Sequence, residues 1–193
     1  MNSALREELV EMERQDQAVR GELAADGTLF DDYHPRMQAV HKEHAKHLRD
    51  ILAQFGWPTE AMVGPEGAKA AWLIAQHSIG EPDFMRQCRD LLEDASNRGK
   101  APRWQFAFID DRIRVFEGRP QRFGTQLCEK DGVLQACPLE NSANIDRLRR
   151  EAGLPPLADI LDQARSNPPP ATKDQPAKDA KERAWRREVG WIS

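Results

Sequence analysis

The chain has 193 residues, of which 39% are hydrophobic and 31% are charged, and its formal net charge at pH 7 is -4. This length suits one domain with a sizeable core, and the charge balance excludes a broad basic surface for nucleic acid. No apolar run approaches the roughly 18 residues that a membrane span needs, and the first residues lack a basic and apolar leader. We therefore predict a cytoplasmic protein with no nucleic-acid or membrane partner.

Four helices are predicted in the first half of the chain. Apolar residues recur at helical spacing over residues 4–24 and again over residues 35–56. In residues 64–80 apolar residues cover every side, which predicts the central, fully buried helix of the domain. A fourth helix begins at Pro82 and carries its apolar residues on one stripe.

The second half combines helices with a small hairpin. The segment of residues 104–118 fits both alternating and helical spacing, and we favour the helix. Two short strands, QRFGTQLCE and VLQACPL, flank a turn at residues 130–132, and two short helices follow. The predicted fold is mainly α: a single domain over residues 1–165, with about six to seven helices and a small β-hairpin.

The last part of the chain is predicted to be a flexible tail, residues 166–193. The stretch SNPPPATKDQPAKDAK has too few apolar residues to form a core, which predicts a linker. The terminal ERAWRREVGWIS contains Trp185 and Trp191, enough for a short helix or an extended segment. Three alternatives stay open for it: docking on its own domain, engaging a protein partner, or fraying.

The three cysteines are predicted to be unpaired. Cys88 falls on the apolar side of a helix, while Cys128 and Cys137 flank the hairpin turn. If residues 130–132 close the hairpin, Cys128 lies near Leu134 and Cys137 is displaced along the ladder. We therefore expect no disulfide between them, and there is no metal-type CxxC spacing.

Polar side chains occupy the apolar faces of three predicted helices: Asp16 on the first, Gln76 and His77 at the end of the third, and Asp111 on the fifth, where Arg112 follows it directly. A buried charge needs a partner, and Arg20 lies four residues after Asp16, which predicts an ion pair. These residue types serve general acid–base chemistry and the binding of anionic groups. Spacing leaves open whether they converge on one site or each form a local structural pair.

The second helix carries histidines at three-residue steps. His44 lies on its apolar stripe and His41 at the edge, but His41, His44 and His47 drift around the helix instead of stacking on one face. No metal site is therefore predicted from them. The common phosphate-loop, dinucleotide, metalloprotease and calcium-loop motifs are also absent, so no cofactor is predicted.

The polar run QRFGTQ, residues 121–126, has two interpretations. In the first it is an ordinary strand in which Gly124 permits a bulge and polar residues alternate to solvent. In the second, Gln121, Thr125 and Gln126 line a pocket edge, with Gly124 giving room to a ligand. Strict alternation places Gln121 and Thr125 on one face and Gln126 on the other, so a bulge must intervene if all take part.

Several of these segments together resemble a family. They are DQAVR at 16–20, GWP at 56–58, QH at 76–77, DR at 111–112, GRPQRFGTQ at 118–126 and RREAGLPPL at 149–157. Over roughly residues 5–161 they resemble an uncharacterised bacterial family with a domain of unknown function. Tyrosine is common in that family where this chain has Phe123, and His44 lies outside its pattern.

The resemblance implies a mostly helical single domain in a bacterial cytoplasm, and it carries no activity. It places the motif residues at Asp16, Arg20, Gln76, His77, Asp111, Arg112, Gln121, Gly124, Thr125 and Gln126.

Two functional hypotheses follow. In the first, a buried polar pocket binds and, in its enzymatic form, hydrolyses a small anionic ligand, with His77 as acid or base oriented by Asp111 or Asp16. The ligand would be bound by Arg20, Gln76, Arg112, Gln121, Gly124, Thr125 and Gln126. In the second, the chain is a non-enzymatic interaction or immunity-like module, its polar core residues are structural, and its tail engages a partner.

Overall fold

The computed structural model describes residues 1–30, 33–130, 132–166 and 174–193. Within these residues the chain forms eight α-helices and a two-stranded antiparallel sheet. The helices are α1 (Ser3–Ala25), α2 (Pro35–Phe55), α3 (Glu60–His77), α4 (Pro82–Asn97), α5 (Arg103–Phe116), α6 (Ile145–Glu151), α7 (Leu157–Ser166) and α8 (Gln175–Glu188). The strands are β1 (Leu127–Lys130) and β2 (Val133–Ala136). The predicted mainly α fold with a small hairpin is confirmed, and none of the described helices is long and apolar enough to cross a membrane.

Helix α3 lies at the centre of the fold, with α1 packed along it and α2 against both. Its small residues Ala70, Ala71 and Ala75 are fully buried, which lets the neighbouring helix approach closely. The helix is not buried all round as predicted, because Trp72 and Leu73 are half-buried. It also starts earlier, with one helical turn before a kink at Gly64, where φ is 72°.

The segment that fitted two periodicities is helix α5, so the helical interpretation is confirmed. The helical spacing of Trp104, Phe108 and Val115 predicts the buried face, and the observed core residues lie on a different one. Phe106, Ile109 and Ile113 enter the core, whereas Trp104 and Phe108 are half-buried and meet Trp72 edge to face. The predicted stripe therefore followed the aromatic rim of the helix and not its core.

The hairpin has a shorter connection than predicted, which changes the position of its cysteines. Lys130 pairs with Val133 and Cys128 with Gln135, so two residues join the strands; Asp131 lies outside the described residues. Cys137 then lies two residues beyond the partner of Cys128, on the same face of the ladder. The two cysteines form a disulfide with Cα atoms 5.1 Å apart, and the prediction of no disulfide is wrong. Since disulfides are typical of oxidising compartments, the cytoplasmic localisation stays a prediction.

The C-terminal segment docks on the rest of the chain. Helix α8 begins inside the predicted linker, where the carboxylate of Asp174 accepts a hydrogen bond from the backbone N–H of Ala177 at 3.0 Å. Trp191 is buried, and its indole N–H donates to the carbonyl of Ile79 at 2.7 Å. The guanidinium of Arg86 lies 5.1 Å from the centre of the same ring system. Residues 167–173 of the predicted linker lie outside the described residues, and the division into a domain and a tail stays a prediction.

Candidate functional site

A cavity of about 700 Å³ opens between α1, α2, α3, α5 and α8, a volume typical of small-molecule sites. Its lining residues are Gln17, Arg20, Leu29, Tyr33, His34, Met37, His41, Leu73, His77, Ile79, Arg112, Phe116, Lys178, Lys181, Glu182 and Trp185. They include four arginine or lysine side chains and three histidines against one glutamate. The lining therefore combines apolar and aromatic walls with a cationic set of polar groups.

His41 and His77 line this cavity, and Asp16 lies behind them in contact with both. Asp16 is buried on α1, and because α1 packs along α3, its Oδ2 lies 2.8 Å from Nδ1 of His77, the last residue of α3. Helix α2 brings Nε2 of His41 to 3.0 Å from the same oxygen. Three helices thus bring one carboxylate and two imidazoles together.

Two neighbouring side chains hold this cluster in place. The side-chain amide of Gln17 donates to Oδ1 of Asp16 at 3.0 Å, on the side away from the histidines. The hydroxyl of Tyr33 lies 2.9 Å from Nδ1 of His41, within hydrogen-bond distance. Both polar ends of the cluster are therefore fixed by groups that also line the cavity.

Burial and mutual contact set the protonation of the cluster. Burial acts to raise the pKa of Asp16, but the close contacts and charges of His41 and His77 outweigh it and hold that pKa well below its usual range. Burial lowers the pKa of His77, although contact with Asp16 opposes the change. Burial raises the pKa of the Tyr33 hydroxyl, because it disfavours the charged phenolate. At neutral pH the cluster therefore holds a carboxylate, a neutral His77 and an un-ionised tyrosine.

The two arginines of the cavity have no carboxylate partner. Arg112 on α5 donates to the carbonyl of Gln76 at 3.0 Å and, more weakly, to Oε1 of Gln126 at 3.4 Å. Burial and the nearby charge of Arg20 lower the pKa of Arg112 to about 10. In the part of the chain that the structure describes, neither arginine forms an ion pair. The predicted Asp16–Arg20 pair is therefore not formed, because Asp16 contacts the histidines instead.

Asp111 belongs to a different part of the structure. It is fully buried, and its carboxylate accepts hydrogen bonds from the backbone N–H groups of Arg122, Phe123 and Thr125 at 2.7 to 3.0 Å, and from the Thr125 hydroxyl at 3.0 Å. Burial raises the pKa of Asp111, and these donors oppose the rise. Asp111 does not line the cavity. In the structure Asp16, and not Asp111, is the carboxylate that contacts His77.

The run QRFGTQ is a loop between α5 and β1, not a strand, and its polar groups bond within the fold. The amide of Gln121 donates to the carbonyls of Gln126 and Cys137 at 2.9 and 2.8 Å and accepts from the Gln126 N–H at 2.9 Å. These bonds use both N–H donors of the Gln121 side chain and engage its oxygen. The structure does not bring Gln121, Gly124 or Thr125 to the cavity wall, and Gln126 is connected to it through Arg112.

Gly124 has a left-handed backbone conformation in this loop and does not line the cavity. Its φ of 67° lies in the left-handed region, and an added Cβ would lie 3.3 Å from Cδ1 of Leu157. The carbonyls of Phe123 and Gly124 accept from Nη1 of the buried Arg149 at 2.7 and 2.9 Å. The close approach predicted at Gly124 is therefore made by the protein itself.

Gln76 and His77 separate at the end of α3. His77 faces the cavity, whereas Gln76 is buried, does not line it, and its side-chain amide has no hydrogen-bond partner among the described residues. Its backbone carbonyl supports Arg112.

Sequence reasoning missed several lining residues, including Gln17, Tyr33 and the α8 residues Lys178, Lys181 and Trp185. The sequence places His41 at the edge of an apolar stripe. Spacing along one helix cannot reveal a cluster whose residues come from three helices.

Comparison with known proteins gives one finding about family. Residues 3–165 match the model of the family DUF6624, described as a family of unknown function, which agrees with the resemblance seen in the sequence motifs. The match ends before α8 begins. The curated proteins and the solved structures contain no match to the chain.

Proposed function

The chain belongs to the DUF6624 family, a family of unknown function, and we propose that it binds a small anionic ligand in the cavity between α1, α2, α3, α5 and α8. One observation carries this proposal: Arg20 and Arg112 line the same cavity, and neither has a carboxylate partner among the described residues. Arg20 is exposed, whereas Arg112 is partly buried, and a cation withdrawn from water needs a compensating group that a bound anion would supply.

Arg112 is the residue best placed to bind the ligand. Its bonds to the Gln76 carbonyl and the Gln126 amide use part of its five N–H donors and fix its position. A guanidinium held in this way can bind a carboxylate or phosphate through paired hydrogen bonds at little entropic cost. Lys178 and Lys181 add positive charge to the opposite, α8 side of the cavity.

The aromatic and apolar residues of the cavity wall indicate the chemical nature of the rest of the ligand. Phe116 and Trp185 contact each other edge to face, with ring centres 5.8 Å apart, and Trp185 meets Tyr33 at 5.3 Å. Leu73 and Ile79 extend this apolar surface. An anionic group joined to an aromatic or apolar body fits such a lining better than an inorganic anion does.

Hydrolysis of the ligand is a second candidate, favoured by the contact between Asp16 and His77. A neutral imidazole with Nδ1 bonded to a carboxylate leaves Nε2 as a base, the arrangement that activates a nucleophile in many hydrolases. In this form His77 would accept the proton of an attacking water, and Asp16 would orient the ring. The alternative of an interaction module is less favoured, because Trp191 is buried on the chain itself.

A binding experiment tests the anion site. Thermal shift and calorimetry would compare phosphate, benzoate and phenyl phosphate on the wild type, on Arg112→Met, and on Arg150→Met, a change at an exposed arginine of α6. We expect the organic anions to stabilise the wild type and Arg150→Met, and the affinity of Arg112→Met to fall roughly 10- to 100-fold. Equal binding by Arg112→Met would contradict the proposal.

A turnover assay tests the hydrolytic form separately. Phenyl phosphate and phenyl acetate would be incubated with the wild type and with His77→Asn. Product formed by the wild type and lost in His77→Asn, with anion binding retained, is the expected result. Binding without turnover in either protein would leave the anion site standing and remove the hydrolytic candidate.

A further inference from the structure

We propose that Asp16, His41 and His77 form a binding site for one divalent transition-metal ion, of the class of Zn²⁺, Fe²⁺, Co²⁺ or Mn²⁺. This inference deepens the proposed function, since it names a cofactor for the same cavity. The metal site depends on the proposed function only in one respect, the role given to the bound anion. Anion binding through Arg112 does not require the cation.

The donor atoms are already close enough to share an ion. One ligand atom from each of Asp16, His41 and His77 lies within 4.8 Å of the other two. Oδ2 of Asp16 is 2.8 Å from Nδ1 of His77 and 3.0 Å from Nε2 of His41. Metal bonds of about 2.0 to 2.1 Å place neighbouring ligand atoms roughly 3.0 to 3.4 Å apart. The two carboxylate–nitrogen distances would need to change by only a few tenths of an ångström to admit the ion.

His41 gives the second, independent observation. Its side chain is more than nine-tenths buried and Nε2 is directed at the Asp16 carboxylate, yet this nitrogen makes no hydrogen bond among the described residues. Nδ1 of the same ring is bonded to the Tyr33 hydroxyl. With the proton on Nδ1, Nε2 presents a lone pair to a carboxylate oxygen, an arrangement that a cation between them stabilises.

The surrounding contacts are those that a metal site needs. Tyr33 fixes the ring of His41 through the nitrogen that would not bind the ion, and Gln17 fixes the second oxygen of Asp16. Such outer contacts set the tautomer and orientation of metal ligands.

The ligand set also indicates the ion and its open positions. Two imidazoles and one carboxylate without a thiolate suit first-row transition metals better than Ca²⁺ or Mg²⁺. Because three protein ligands leave positions free, and both histidines line the cavity, water or the anionic ligand could complete the coordination. In the loaded protein His77 is a ligand, and the metal-bound water takes over the proton-transfer role that the hydrolytic candidate gives to His77.

Metal analysis of the full, untagged chain tests this site. The protein would be stripped with a chelator, dialysed against Zn²⁺, Mn²⁺ or Co²⁺, freed of excess ion and analysed by mass spectrometry for metal content. We expect about one ion per chain, and less than about a tenth of that in Asp16→Asn, His41→Gln and His77→Gln. His47→Gln, a change at an exposed histidine on helix α2, which also carries His41, should bind as much metal as the wild type does.

Cobalt absorption of the wild type provides a readout that does not depend on any variant folding. Visible ligand-field bands should appear and saturate at about one equivalent. Failure of the wild type to retain any of the three ions, or equal retention by the three ligand variants, would overturn the site. The anion proposal fails separately: Arg112→Met should keep the metal and lose the anion, and the stripped wild type should still bind the anion.

Discussion

The two buried carboxylates of the chain, Asp16 and Asp111, look alike in the sequence and act differently in the structure. Each sits on the apolar stripe of a helix, and each is almost completely excluded from solvent, with 1% and 0% of its surface exposed. Asp111 accepts hydrogen bonds from the backbone of a single loop. Asp16 instead contacts two imidazoles in a cavity wall. Burial of a charge is therefore uninformative about its role until its partners are known.

The partners differ in what they leave available. Backbone N–H groups do not titrate near neutral pH and cannot coordinate a metal cation, so the cluster around Asp111 is complete once the loop has folded. Imidazoles can do both, and His41 and His77 are open to the cavity. The Asp111 cluster thus holds the loop in its folded position, while the Asp16 cluster keeps side chains that can change protonation or bind an ion.

The largest effect is expected from Asp111→Asn. The amide group offers one acceptor oxygen and places N–H donors against the backbone donors of the loop, so several buried N–H groups lose their partner. We expect the free energy of unfolding to fall by about 3 kcal/mol. Chemical denaturation of the variant and of the wild type measures the difference.

Asp50→Asn, at an exposed position of α2, is the control and should change stability by less than about 0.5 kcal/mol. At a temperature where Asp111→Asn is still folded, its affinity for phenyl phosphate should match that of the wild type. A selective loss of binding at unchanged stability would place Asp111 in the ligand site and remove the contrast between the two clusters.

Sequence patterns identify single residues of the two clusters, but they do not predict which of these residues contact each other. Asp16 and His77 stand out because each interrupts an apolar helix, and that signal is local. Their contact depends on the packing of α1 along α3, which brings together residues 61 positions apart. The spacing of His41 to His44 and His47 along one helix does not suit a metal, whereas the observed cluster takes one residue from each of three helices.

The hairpin and the tail show the same limit. A difference of one residue in the length of the turn moved the register of the strands, and with it the relation between Cys128 and Cys137. The polar composition after Ser166 predicted a linker, but the cap at Asp174 and the buried ring of Trp191 stabilise a helix there. Composition measures how much apolar surface a segment has, not whether a matching groove exists elsewhere.

The next largest effect is expected from Trp191→Ala, which tests whether α8 is part of the Asp16 side of the comparison. The change removes the packing on Phe116, with ring centres 5.2 Å apart, and the hydrogen bond to Ile79. Because α8 carries Lys178, Lys181 and Trp185 to the cavity wall, we expect the affinity for phenyl phosphate to fall roughly tenfold, equivalent to about 1.4 kcal/mol.

Trp191→Phe is the matched control, since it keeps an aromatic ring on Phe116 and loses the indole N–H. Calorimetry should give it an affinity between those of the wild type and Trp191→Ala. Unchanged affinity in Trp191→Ala would mean that the cavity is complete without the docked segment, and that residues 3–165 carry the whole binding site.

The smallest effect is expected from His44→Leu, which isolates burial of an imidazole without the carboxylate contact that marks the Asp16 cluster. His44 is buried, its Nε2 lies 3.4 Å from the side-chain oxygen of Gln15, and its Nδ1 has no partner among the described residues. Burial lowers the pKa of His44, so as the pH falls below the unfolded value of about 6.5 the unfolded chain takes up a proton before the folded chain does. His44 therefore contributes stability above that pH, and this contribution is lost as the pH falls through the lower, folded pKa.

In chelator-treated protein, the free energy of unfolding of His44→Leu should decline less steeply between about pH 7 and pH 5 than that of the wild type or of His47→Leu. Parallel slopes in all three proteins would mean that the ring of His44 is hydrated enough to titrate normally, and that the contact with Asp16, not burial, sets apart the histidines of this fold.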